Sequence, residues 1–123
     1  NLTIDTIHEA PHTTARTEFR AVLDDRSQFE FRGMIKILSG AHGSQDFLQQ
    51  DSLLLSNKAR ANAIPGLEIE TNDVKASHGA TAKPISPAER FYLMSRGLTK
   101  AESERMIVDG FLAPVKQAIF QTV

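Results

Sequence analysis

The sequence predicts a mainly β chain followed by a small helical region, with strand-rich rungs over residues 1–85 and helices over residues 86–123. Three observations carry this. Short apolar runs alternate with polar turns through the first part, at nearly regular spacing. Apolar and polar residues alternate strictly in Phe29-Glu30-Phe31 and Leu67-Glu68-Ile69, as in strands with one wet face. Two helix-start signatures then follow one another closely beyond residue 85.

The β part is read from its turns. Asp24-Asp25-Arg26-Ser27, Ser39-Gly40-Ala41-His42, Ser56-Asn57-Lys58-Ala59 and Thr71-Asn72-Asp73-Val74 begin 15, 17 and 15 residues apart. Each follows an apolar stretch: Ala21-Val22-Leu23, Met34 to Leu38, Leu53-Leu54-Leu55 and Leu67 to Ile69. A period near 16 is long for tight hairpins and short for βαβ units, which take about 30 residues. It suits a solenoid of stacked rungs, each burying its inward side chains against the next. An antiparallel sandwich of the same short strands is the alternative. The stretch from Leu67 to Thr81 reads as β structure ending in a turn at His78-Gly79.

The helical part opens with Ser86-Pro87-Ala88-Glu89, a capping box with proline at the first helical position. This helix runs over Arg90 to Arg96 and stops at Gly97, a residue at ease in the left-handed conformation. Thr99-Lys100-Ala101-Glu102 starts the next helix. Ile107, Phe111, Val115 and Ile119 recur every four residues, which predicts one buried stripe. Pro114 predicts a kink or break there.

Composition excludes several classes of function. The chain of 123 residues is 41% apolar and 24% charged, the balance of a folded globular domain. Its 14 lysines and arginines are scattered and the net charge is −1, so no nucleic-acid groove is written in it. No apolar run approaches the roughly 18 residues of a membrane span, and no signal peptide opens the chain. Cysteine is absent, which excludes disulfides, thiol catalysis and thiolate ligation by this polypeptide. A cytoplasmic location is expected. Beginning at Asn1 amid strand-like sequence, the chain reads as the C-terminal piece of a longer protein.

Four histidines are the obvious chemical groups. His8 and His12 would share one face of a helix, a metal-binding spacing, but Glu9-Ala10-Pro11 between them argues for a loop. His42, between glycines 40 and 43, reads as an exposed turn residue. His78 stands near Asp73 and Ser77. A neutral imidazole ligates iron or zinc readily, and equally serves as a hydrogen-bonded structural group. Asp24, Asp25, Asp46 and Asp51 could supply the carboxylate pair of a polysaccharide-cleaving solenoid, although turn aspartates more often serve backbone geometry. No nucleophile elbow, P-loop or zinc-protease motif occurs, so no enzyme is expected.

The order of several segments resembles the SufB/SufD core family of iron–sulfur cluster assembly scaffolds. These are Arg32-Gly33-Met34-Ile35-Lys36-Ile37, Asp51-Ser52-Leu53-Leu54-Leu55, Leu67-Glu68-Ile69, Asp73-Val74, Ser77-His78-Gly79-Ala80-Thr81, Phe91-Tyr92-Leu93 and Ser95-Arg96-Gly97. The resemblance implies a right-handed parallel β-helix followed by helices. It implies a partner, SufB or a second copy, paired through the strands near His78. It also implies an ABC-type ATPase, SufC, docked on residues 86–123. SufB proteins commonly carry a cysteine at the position of Gln50 and read His-Glu-Ala where this chain has His78-Gly79-Ala80. The likeness therefore leans to SufD, and it gives His78 the role of a metal-site or interface residue for a nascent cluster shared with the partner. The complex would hold the cluster transiently, and none is expected on this chain alone. A solenoid interaction module without cluster chemistry, or a carbohydrate-active β-helix, are the other readings.

Overall fold

The structure, a computed structural model, describes residues 1–121, with side chains through Ile119. Among the described residues six strands precede two helices. The strands are β1 (Leu2–His8), β2 (Thr14–Leu23), β3 (Gln28–Ile37), β4 (Gln45–Leu54), β5 (Arg60–Ile69) and β6 (Lys75–Pro84). The helices are α1 (Pro87–Ser95) and α2 (Lys100–Gln121).

The strands form two three-stranded sheets, β1-β3-β5 and β2-β4-β6, and every ladder is parallel. Parallel partners need a crossover of a dozen or more residues. Here the crossover is a strand of the other sheet, so partners stand 29 to 32 positions apart. The 16-residue spacing thus marks one strand with its turn, and two such units separate stacked neighbours. The antiparallel alternative fails because consecutive strands never pair.

Turns stack as the strands do. The amide of His12 donates to the His42 carbonyl at 2.9 Å, and that of Gly43 to the Asp73 carbonyl at 2.6 Å. At the β2–β3 turn Asp25 takes a positive φ of 52°, and its amide donates to Asp24 Oδ1 at 2.7 Å. A short acidic side chain tolerates that conformation by bonding locally.

Alternation decides what is buried. β3 turns Phe31, Ile35 and Ile37 inward against Leu48 of β4 and Ala41 of the intervening turn. The Phe19 ring stacks on Phe29 and Phe31 at centroid distances of 5.6 and 5.5 Å. Each such burial contributes roughly 1.5–3 kcal/mol. A second cluster, Leu53, Ile85 and Ile107, fastens the helices to the β2-β4-β6 sheet. Leu67 and Ile69 alternate as expected but stay 51% and 44% exposed. They lie on β5, the edge of its sheet, with no further strand to cover them.

Both helix starts are capped, and the second carries the full reciprocal box. Ser86 Oγ accepts the Glu89 amide at 3.2 Å, while Thr99 and Glu102 exchange bonds in both directions. Gly97 ends the first helical segment at φ 98°. Of the kink or break expected at Pro114, the break does not occur: α2 runs on through the proline. The carbonyl its ring crowds belongs to Gly110, a residue with open space where a side chain would stand. The predicted stripe is buried at Ile107 and half-buried at Phe111 and Val115, but Ile119 is 63% exposed, beside a gap that it lines together with Arg16 and Glu18 of β2. No helix among the described residues is long and apolar enough to cross a membrane.

Candidate functional site

His78 lies within β6, not in a turn after a strand. No turn forms at His78-Gly79, because Gly79 continues the ladder opposite Gln49. β6 pairs His78 with Leu48, and the imidazole follows Leu48 into the space between the sheets. There it meets β3. A Cβ on Gly33 would stand 2.5 Å from His78 Cε1 and 3.1 Å from Nε2, so glycine at 33 makes room for the ring. Phe31 meets that ring edge-on at 6.3 Å.

Both ring nitrogens of His78 are shielded from solvent and have no hydrogen-bond partner. Burial pushes the imidazole below its ordinary value, against the opposing pull of Asp46. An unpaired buried nitrogen costs free energy unless something else uses it.

Asp46 is the residue that sequence reasoning misplaced. It sits in β4, fully buried, rather than in a turn. Its Oδ2 lies 3.0 Å from His8 Nε2, while Oδ1 has no partner. His8 Nδ1 lies 2.6 Å from Thr13 Oγ1, which lies 2.9 Å from Ser44 Oγ. The network ties the end of β1 to the turn before β2 and to the start of β4. A signal was present: Asp46, Gln50 and Ser52 share the alternation of Leu48 and are all buried. Polar residues on an apolar phase mark an interior network or a functional site.

The other candidates separate. His12 stands in a turn at φ 58° with its ring edge-on to exposed His42, so His8 and His12 do not converge. Asp51 faces the opposite side of β4 from Asp46 and accepts from Gln49 Nε2 and Thr81 Oγ1, each at 2.7 Å. Asp24 and Asp25 belong to the β2–β3 turn. Alternation sends Asp46 inward and Asp51 outward, so these two do not form the carboxylate pair of a glycan-cleaving solenoid. Among the described residues no group of three His, Cys, Asp or Glu side chains is placed to hold a metal ion.

Gln50 is 2% exposed and donates to Ser52 Oγ at 2.5 Å. Positions 50 and 78 thus face the same interior, two register steps apart along β4 and β6. Gly79 faces outward beneath Gln49, whose Oε1 would be 2.1 Å from a Cβ there.

Residues 1–111 match the family described as SUF system FeS cluster assembly, SufBD core domain. The iron-sulfur cluster assembly protein SufD of Bacillus subtilis is 38% identical over 115 residues, 94% of this chain and 26% of that protein. SufB of the same organism is 32% identical over 108 residues, 88% of this chain and 23% of that protein. An iron-sulfur cluster assembly SufBD family protein of Mycobacterium tuberculosis is 34% identical over 113 residues, 92% of this chain and 13% of that protein. The chain therefore spans about an eighth to a quarter of the length of these relatives.

Proposed function

The chain belongs to the SufBD core family of the SUF iron–sulfur cluster assembly system, and from that we propose that it is part of a non-enzymatic, SufD-like assembly scaffold working in the cytoplasm. The observation that carries this is the family match across residues 1–111. Three features support the SufD side. Identity is higher to the Bacillus subtilis SufD than to its SufB, 38% against 32%. Glutamine stands at 50, where the resemblance expects a SufB cysteine, and glycine at 79, where it expects a carboxylate.

The two parallel sheets are faces of a right-handed parallel β-helix in this reading, supported by the strand alternation and the 29-to-32-residue offsets. The β5 and β6 edges take the partner, SufB-like or a second copy, over the uncovered Leu67 and Ile69. Residues 86–123 take the ABC-type ATPase. Phe91, Tyr92, Met94 and Met106 support this, being 74%, 55%, 43% and 51% exposed on the helices.

The cluster is cargo, and His78 supplies at most one ligand to it. Its nitrogens face inward in the isolated chain, so the ring must turn toward the β6 edge when the partner docks. The remaining ligands come from the partner or from other parts of the protein. A second reading has its own observation: the ring fills the space opposite Gly33, as a packing residue would. His78→Ala in the full-length protein, coexpressed with its partners, separates the two. Loss of iron and sulfide from an intact complex assigns His78 to the cluster; unchanged content assigns it to packing.

A further inference from the structure

Helix α2 carries two breaks in regularity within one turn. Pro114 has no amide to give the Gly110 carbonyl, and Gly110 itself lacks a side chain, with open space where a Cβ would be. At the same turn a side chain from the sheet enters. Arg20 of β2 donates from Nη1 to the Phe111 carbonyl and lays its guanidinium 5.2 Å from the centre of the Phe111 ring. Proline is a recognised cause of helix bending, and the Arg20 contact falls within the same turn.

The halves on either side are held differently. Before the joint, Ile107 is buried with Leu53 and Ile85, and the Phe111 side chain, at the joint itself, packs against the same cluster. Beyond it, Val115 is half-buried, Ile119 is mostly exposed, and a gap of about 350 Å³ separates these residues from Arg16 and Glu18. That gap shares Arg16 and Glu18 with a groove of about 360 Å³ on the outer face of the β2-β4-β6 sheet, lined also by Phe47, Gln49 and Asp51.

We propose that α2 is jointed at Gly110–Pro114 and that Arg20 is the latch that keeps its distal half, residues 111–119, down on β2. With the latch open the distal half lifts as a strap and widens the groove beside it, while the half around Ile107 stays docked. Nothing in this depends on cluster chemistry. The joint uses chain geometry, and the latch uses one cation on a ring and a carbonyl.

Peptide-resolved hydrogen exchange of the full-length protein tests it. Arg20→Ala is expected to speed exchange over residues 111–119 roughly tenfold, with residues 100–109 and β4 unchanged. Unchanged exchange over 111–119, or an equal rise over 100–109, overturns the proposal. Should Arg20→Ala not fold, Pro114→Ala decides, since that position is exposed and the change restores the missing donor. Slower exchange across the distal half is then expected, and exchange equal to wild type overturns the joint.

Discussion

Gly33 and His78 face each other across the interior, and each explains the other. The ring occupies the volume that any side chain at 33 would need, and Phe31 Cε1, 2.9 Å from the same point, closes the remaining direction. Gly33→Ala therefore forces the imidazole out or bends β3. Overpacking of this kind costs about 1–3 kcal/mol. We expect a lower urea midpoint together with shifted His78 ring resonances in an NMR spectrum. A variant with wild-type stability and an unmoved His78 spectrum would show that the ring does not occupy that space. The polar interior has the same logic. His8 reaches Asp46 and Thr13 across 38 and 5 residues of sequence, pairings that no local pattern announces.

Among the elements, α2 owes its start to one local exchange. The Thr99 amide donates to Glu102 Oε2 at 2.7 Å, and the Glu102 amide donates to Thr99 Oγ1 at 3.2 Å. Donation from the Thr99 amide, then from its side chain, holds the Glu102 carboxyl below the ordinary glutamate range. A carboxylate with a lowered folded pKa stabilises the helix start above its unfolded value. That contribution disappears as pH falls through the lowered folded value. The first turn of α2 should therefore fray only in acid beyond the ordinary glutamate range. Thr99→Ala should move the Glu102 titration only part of the way back up, since the backbone amide, the larger cause, remains, and destabilise the helix by about 1 kcal/mol. Carboxyl carbon shifts followed against pH check both, and a Glu102 titrating at its ordinary value in the wild type would contradict them. The capping boxes were legible because their bonds span three residues. That α2 runs on through Pro114 was not, since a proline inside a helical pattern reads equally as a kink or a stop.

For the whole molecule, the β5 and β6 edges decide behaviour in solution. Both strands end their sheets, and β5 leaves Leu67 and Ile69 uncovered on the phase that is buried in β3. Unpaired backbone beside apolar side chains is a template for association. We expect this chain to self-associate at micromolar concentration and the double variant Leu67→Lys, Ile69→Lys to shift it toward monomer by light scattering. Equal masses for the two would place association elsewhere, including the β1 and β2 edges.

Local chemistry sufficed for the order of elements: alternation wrote the strands, turn residues spaced them, and two capping boxes started the helices where the structure has them. The candidate site was half legible. His78 stood out as a residue, but its place inside β6 did not, because histidine followed by glycine reads as a turn wherever the neighbouring strand is unknown. The near-16 period was visible, yet its meaning was not. A strand's period says which residues share a face, while its partner is chosen by burial between elements about 30 residues apart. Only the tertiary structure, through that choice, put Gly33 opposite His78, sent Asp46 to His8 and away from Asp51, and left Leu67 and Ile69 at an open edge.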